Sequence, residues 1–240
     1  MRRFRLTSFL SAALLLFYAA GSARAQDAGP HWEVGGHVSA FDVGDGEGSV
    51  QEFVCPVSFA PCVMRTTNAD HRATEFGFGA RVGYRLDRHF TVEAEGSFFP
   101  RERALTDNDH FTGGRKTQVL FGAKVGRSYE RFGFFVKARP GYVHFSAGDL
   151  RLAGVCVALF PPPLSCFERR GRADFAFDLG GVLELYPSAR TLVRVDAGDT
   201  LMLTRAHNVP VTTTVSTTVV EVPARTTHNF QGSVGFGFRF

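Results

Sequence analysis

Apolar and polar residues alternate strictly along several segments of this chain, most clearly in residues 74–86. In that segment Thr, Phe, Phe, Ala, Val, Tyr and Leu occupy every second position, with Glu, Gly or Arg between them. A period of two is typical of a β-strand, because successive side chains point to opposite faces of a sheet. The segment is also long enough for a tilted strand to cross a bilayer.

The same alternation recurs in seven further segments, which makes eight predicted strands. The other seven are residues 32–41, 90–98, 117–125, 132–142, 174–185, 193–197 and 230–240. Short connections alternate with long ones, and the long ones are residues 43–73, 100–115, 146–172 and 201–227. Short turns at one end and long loops at the other are typical of membrane barrels, with the short turns periplasmic. The pattern therefore predicts an all-β, transmembrane up-and-down antiparallel β-barrel of eight strands with four long extracellular loops.

Charge separates the two faces of these strands. Across the eight segments the face assigned to the outside has no Asp, Glu, Lys or Arg. This absence fits a lipid-facing surface, because a charge on that surface near mid-membrane would cost about 2–4 kcal/mol. The face assigned to the lumen carries Glu33, Glu75, Arg81, Arg85, Glu93, Glu95, Lys124, Lys137, Arg139, Asp174, Asp178, Glu184, Arg194, Asp196 and Arg239. A soluble β-sandwich would show the opposite arrangement, with its charges facing water.

The inward charges have three possible roles: a salt-bridge network, an ion path or a catalytic acid–base pair. An eight-stranded barrel is just wide enough for side chains to fill. Acids and bases on the inward face are nearly equal in number, and buried charges are usually paired. We therefore expect a network of ion pairs that fills the lumen.

Two features of the strands add detail to this prediction. Aromatic residues lie near the short turns or chain ends, as in a periplasmic interface belt. They are Trp32, Tyr84, Phe90, Phe132, Tyr186 and Phe240. Pro140 lies within a predicted strand and cannot donate to the ladder, so we expect a bulge or strand end there.

The first 25 residues have the pattern of a secretory signal peptide. A basic start is followed by an apolar stretch and by Ala23-Arg24-Ala25, so a mature barrel domain of residues 26–240 is expected. The whole chain has 27 basic and 23 acidic residues, and the signal holds four arginines and no acid. The remainder therefore carries 23 of each sign, which gives no reason to expect nucleic acid as a partner.

The last strand resembles the C-terminal signature that the outer-membrane barrel assembly machinery recognises. Its apolar residues alternate back from a terminal phenylalanine, through Phe240, Phe238 and Phe236. Together with the signal peptide and eight strands, the chain resembles the small OmpA/OmpX-like barrels of the outer-membrane protein β-barrel-domain family. The resemblance implies a bacterial outer-membrane location, contact with outer-membrane lipid and lipopolysaccharide, and insertion by the assembly machinery.

The cysteines form two close pairs inside predicted long loops, Cys55 with Cys62 and Cys156 with Cys166. Export passes through an oxidising compartment, and an even number of cysteines favours disulfides. Three connectivities are possible, and pairing within each loop is favoured because the partners are near in sequence. Each bond would contribute on the order of 2–3 kcal/mol to loop order.

Other candidate motifs are weak. His144 and Ser146 form a His-x-Ser pair, but a hydrolase would also need an orienting acid, and none follows at comparable spacing. Residues 107–110 fit no calcium loop and are interpreted as a solvated turn. Residues 209–220 are rich in β-branched side chains and predict a hairpin beyond the membrane. The sequence contains no recognisable cofactor or metal motif.

Three functions remain, in this order. The first is a non-enzymatic surface barrel whose loops serve adhesion, envelope integrity or binding of an extracellular ligand. The second is a narrow pore for ions or small solutes, suggested by the charged lumen. The third is a lipid A-modifying enzyme, suggested only by His144 and Ser146. The order follows family analogy and not any particular residue.

Overall fold

The alternating segments fold as β-strands in the computed structural model. It describes residues 31–44, 48–54, 63–69, 72–101, 113–152, 167–212 and 217–240. The strands are β1 (Trp32–Gly44), β2 (Gly48–Val54), β3 (Val63–Ala69), β4 (Arg72–Arg85), β5 (Phe90–Phe99), β6 (Lys116–Ser128), β7 (Phe132–Leu152), β8 (Phe167–Leu185), β9 (Thr191–Thr204), β10 (His207–Thr212), β11 (Thr217–Val222) and β12 (Arg225–Arg239). None of the described residues belongs to a helix long and apolar enough to cross a membrane.

Eight of these strands close into one antiparallel barrel. The order around it is β1, β12, β9, β8, β7, β6, β5 and β4, and β1 pairs with both β12 and β4. Consecutive barrel strands are neighbours throughout, which is the up-and-down arrangement. The predicted barrel and its strand number are therefore confirmed.

The remaining four strands form two separate hairpins. β10 pairs with β11, which confirms the hairpin predicted from the β-branched residues 209–220. β2 pairs with β3 inside the first predicted long loop. This hairpin was not predicted, because neither of its segments shows a sustained period of two.

Burial alternates along the barrel strands as the sequence predicts. On β4, Glu75 is 2% exposed and its neighbour Phe76 is 75% exposed. Every second side chain along β12 is buried in the same way. The apolar outer face and the polar inner face thus follow directly from the period of two.

Pro140 does not interrupt β7, so the expected bulge or strand end is wrong. Its Cα partner on β8 is Phe177, and the register between β6 and β7 is the same on both sides of the proline. A proline removes only one donor, and the ladders before and after it hold the strand in line. The irregularity of β7 lies instead between Phe145 and Asp149, towards the extracellular end.

Aromatic side chains gather at the end with the short turns. The rings of Trp32 and Tyr84 meet edge to face at 5.0 Å, and those of Tyr129 and Phe132 lie 4.7 Å apart. Tyr186 does not belong to this outer group. It has the inward parity of Glu184, two residues before it, and its ring centroid lies 3.9 Å from the Arg239 guanidinium carbon in the lumen.

Two consecutive glycines on β8 allow a direct test of strand packing. A Cβ at Gly180 would lie 2.2 Å from the Ala197 carbonyl oxygen, whereas one at Gly181 would meet nothing within 4 Å. We expect Gly180→Ala to lower the free energy of unfolding by about 1–3 kcal/mol, the usual cost of overpacking. Gly181→Ala is the matched control, and urea unfolding in lipid vesicles measures both. Equal stability of the two variants would contradict the close approach of β8 and β9.

Candidate functional site

The lumen contains layers of paired charges, beginning at the end with the short turns. Lys124 donates to Glu33 Oε2 at 2.9 Å and also to Glu184 Oε1. Arg239 bridges the same two acids, with its Nε 3.1 Å from Glu33 and its Nη2 3.0 Å from Glu184. Arg85 donates to Glu33 at 2.8 Å. Five side chains from five strands therefore close this end of the barrel.

Tyr186 lies across this first layer of charges. Its hydroxyl donates to Glu184 Oε2 at 3.0 Å and lies 3.3 Å from the Ser128 hydroxyl. The guanidinium of Arg239 stacks on its ring. The residue thus covers the charges on the periplasmic side, a role that the interface-belt interpretation missed.

Arg194 is held between two acids in the next layer. Its guanidinium makes two hydrogen bonds to Glu93, at 2.6 and 3.0 Å, and two to Asp196, at 2.7 and 2.8 Å. Bidentate pairing of this kind is the strong form of an arginine–carboxylate contact. All three side chains are at most 2% exposed.

Arg139 holds a second set of carboxylates at the same level. It bonds to Asp178 at 2.6 and 2.8 Å, to Glu95 at 2.6 Å and to Glu93 at 3.3 Å. Because Glu93 also bonds Arg194, the two arginine groups form one network. The remaining cations of this layer pair with the same acids: Lys137 with Asp178 at 3.0 Å and Asp196 at 3.4 Å, and Arg81 with Asp196 at 3.5 Å.

A neutral polar layer follows towards the extracellular end. Gln118 and Gln231 exchange two amide hydrogen bonds of 3.0 Å across the lumen. The Thr200 hydroxyl adds a bond of 3.3 Å to the Gln231 oxygen. These uncharged partners were not singled out from the sequence, where they are ordinary inward positions of their strands.

Beyond this layer the lumen contains an apolar cluster, which sequence reasoning also missed. Phe41 and Phe99 are both fully buried, with ring centroids 5.3 Å apart. The cluster, here called the apolar plug, consists of Phe41, Val43, Phe99, Leu120, Val143, Phe145, Ala176 and Met202. Consecutive phenylalanines at 98 and 99 were the available signal, since one of them must face inward.

Two ion pairs lie beside the apolar plug. Lys116 donates to Glu75 at 2.7 Å and lies 5.5 Å from the Phe145 ring centroid. Arg172 donates to Asp174 at 2.8 Å and lies over the same ring. With them, each of the fifteen inward charges named from the sequence has an oppositely charged partner within the lumen.

The β10–β11 hairpin is attached to the extended part of β7 and β8. The backbone N–H of Asn208 donates to Asp149 at 3.1 Å, and that of Arg205 donates to Asp174 at 3.2 Å. His207 is buried at the base of the hairpin and contacts the Arg205 carbonyl at 2.9 Å. Burial, reinforced by the nearby Arg172, lowers the pKa of His207 to about 4, so it is neutral at pH 7.

His144 and Ser146 both lie on the outer face of β7. The ladder partners of His144 are Thr117 and Ala173, neither of which is an acid. A hydrolase of the Ser–His type needs the base within hydrogen-bond reach of the nucleophile and oriented by a third group. Among the described residues, no group of three or more His, Cys, Asp and Glu side chains could hold a metal ion.

Some predicted features lie outside the described residues. They are the signal peptide of residues 1–25, the turn at 107–110 and the four cysteines Cys55, Cys62, Cys156 and Cys166. Their cleavage, conformation and pairing therefore stay predictions.

The comparisons with known proteins identify the family. The model of the family "Outer membrane protein beta-barrel domain" matches residues 10–240. This chain belongs to that family. The assignment places the barrel in the bacterial outer membrane. No curated protein sequence matches the chain.

Several solved barrels are similar to this outer-membrane protein at low sequence identity. Neisserial surface protein A is 10% identical, with a TM-score of 0.46, over 87% of this chain and 97% of that one. Ail, the attachment invasion locus protein of Yersinia pestis, is 14% identical, with a TM-score of 0.41, over 89% and 100%. The N-terminal β-barrel domain of Pseudomonas aeruginosa OprF is 8% identical, with a TM-score of 0.41, over 87% and 97%.

Proposed function

We propose that this protein is a non-conducting, non-enzymatic outer-membrane barrel that presents its long loops to an extracellular ligand. The filled lumen is the observation that carries the proposal. Its charged side chains are paired and buried, and the apolar plug follows them towards the extracellular end. Ions would have to break several buried pairs and also cross an apolar layer.

The extracellular end supports the presenting role. β7 and β8 remain paired out to Leu152 and Phe167, well beyond the length needed to cross a bilayer. The backbone N–H of Asn208 on β10 is hydrogen-bonded to Asp149, and that of Arg205, just before β10, is hydrogen-bonded to Asp174. Loops held in this way lose less conformational entropy when they bind a ligand. Disulfides within the first and third loops would restrict them further.

The barrel's partners in the membrane are part of the same proposal. Phe236, Phe238 and Phe240 all face outward, where the assembly machinery could bind them as an insertion signal. Outer-membrane lipid and lipopolysaccharide would surround the apolar face. Nothing in the neutral charge balance of residues 26–240 suggests nucleic acid.

Conductance of the refolded chain in a planar bilayer tests the non-conducting part. We expect no discrete channels from protein whose gel mobility changes on boiling, the sign of a folded barrel. Salt-dependent channels from such a preparation would favour the narrow-pore alternative. Lys124, Lys137, Arg139 and Glu184 would then be the first residues to neutralise.

A loop replacement tests the presenting part. Cells displaying the full chain are compared with cells in which a short turn joins β9 to β12 in place of residues 206–224. Binding to host cells and matrix proteins should fall, while the amount of folded barrel stays constant. Unchanged binding after this replacement and after removal of the first and third loops would contradict the proposal. Altered lipid A in an overexpressing strain would instead favour the enzyme alternative.

A further inference from the structure

Asp199 and His228 are ionisable side chains on neighbouring strands of the outer wall of the barrel. Asp196 and Thr200 on β9 are buried in the lumen, so Asp199 lies on the opposite, outward face. His228 on β12 also faces outward. The two predicted segments concerned are residues 193–197 and 230–240. Both Asp199 and His228 lie outside them, so the prediction of a charge-free outer face did not cover this pair.

Asp199 and His228 are joined across the two strands. The distance from His228 Nδ1 to Asp199 Oδ2 is 2.6 Å, and Asp199 Oδ1 accepts the backbone N–H of Asn229 at 3.0 Å. The His228 side chain is nevertheless 71% exposed and that of Asp199 is 40% exposed. Because Nδ1 contacts the carboxylate, Nε2 lies on the other edge of the imidazole ring.

On β9 and β8 the apolar outward face continues past the pair. Leu201 and Leu203 continue the outward face of β9 past Asp199, and Leu203 is 51% exposed. On β8, Phe177 and Phe175 are the ladder partners of these two leucines. The long loops lie beyond this end, so the pair is in the outer leaflet. Ionisable groups within a membrane are rare and mark functional sites.

Small residues form a row across four strands at the level of Ala197, the outward residue that precedes Asp199 on β9. Ala40, Gly232, Ala197 and Gly181 are successive ladder partners on β1, β12, β9 and β8. A Cβ at Gly181 would meet nothing within 4 Å, and one at Gly232 would be 3.9 Å from its nearest neighbour. The row therefore leaves a shallow channel on the lipid face, directly beside the polar pair.

We propose that Asp199 and His228 bind one lipopolysaccharide molecule of the outer leaflet. The carboxylate holds the imidazole so that Nε2 makes a hydrogen bond to a polar group at the acyl linkages of the lipid. An acyl chain covers the row of small residues. This site depends on the membrane location of the barrel and not on what the loops bind, so either proposal can fail alone.

Retention of lipopolysaccharide during purification tests the site. Full-length protein is extracted from outer membranes in mild detergent, and its bound lipids are quantified by mass spectrometry. We expect His228→Phe and Asp199→Asn to weaken retention about tenfold, the effect of losing one good hydrogen bond. His144→Phe is the matched control, since His144 is an outward histidine on β7 that has no acid as a ladder partner.

Folding controls separate binding from stability. Gel mobility with and without boiling and the urea midpoint are measured for every variant. Gly181→Leu supplies a second, independent variant, because it fills the row without touching the pair, and it should also lower retention. Wild-type retention in folded His228→Phe and Asp199→Asn protein would overturn the proposal. An equal loss in His144→Phe, or retention of phospholipid in place of lipopolysaccharide, would also overturn it.

Discussion

Replacing Arg194 with methionine should lower the free energy of unfolding of the barrel by about 3–5 kcal/mol. Arg194 is 1% exposed and makes four hydrogen bonds to Glu93 and Asp196. Methionine fills much of the same space but leaves both carboxylates buried with fewer partners. Breaking a buried ion pair from one side is costly for this reason. Urea unfolding in lipid vesicles, followed by the fluorescence of Trp32, measures the loss.

Two further variants show whether charge is the cause. Arg151→Met removes an arginine whose side chain is 63% exposed, and it should change stability by no more than about 1 kcal/mol. Adding Glu93→Gln to Arg194→Met should recover part of the loss, because one acid is then removed together with one base. Arg139, the other partner of Glu93, keeps Asp178 and Glu95. Asp196 keeps Lys137 and Arg81. If Arg194→Met were as stable as Arg151→Met, the lumen network would not contribute to the folded state as described.

Replacing Phe99 with alanine should lower the free energy of unfolding by about 3–5 kcal/mol. Phe99 is fully buried in the apolar plug and packs on Phe41. Its removal leaves a cavity that barrel strands in a closed ladder cannot collapse to fill. The same urea titration in vesicles measures this loss.

The matched control for Phe99 is an outward phenylalanine. Phe76 is 75% exposed on the lipid face, where acyl chains refill the space after Phe76→Ala. Phe76→Ala should therefore lower the free energy of unfolding only by the free energy of transferring the lost side chain from water to lipid, about 1.5–3 kcal/mol.

Conductance of the double variant Phe41→Ala/Phe99→Ala shows which part of the lumen blocks ions. If this variant shows no channels in a planar bilayer, the charged layers are sufficient to block ions. New channels in that variant would assign the block to the apolar plug.

The inward charges were the most predictable part of the candidate site. Strand parity alone places Glu93, Lys124 and Arg194 inside, because adjacent residues of a strand face opposite sides. Tyr186 was assigned to the interface belt from its residue type and its position near a short turn, against this same parity. It lies two residues after the inward Glu184, and it contacts Arg239 inside the barrel.

The pairing of these charges could not be predicted. Arg194 and Glu93 are 101 residues apart in sequence, and Arg139 and Glu95 are 44 apart. Which side chains meet depends on the stagger between strands around the closed barrel, and that stagger is a property of the whole sheet. A single strand carries no information about the level at which its partner across the lumen lies.

The strands, their two faces and the alternation of short and long connections could be predicted from the residue pattern. These follow from local rules, because a period of two and the cost of a charge in lipid act on each strand separately. The ion-pair partners, the apolar plug and the outward pair of Asp199 and His228 could be identified only in the folded barrel. Each of these joins residues from different strands, and their distances are set by how eight strands close around one lumen.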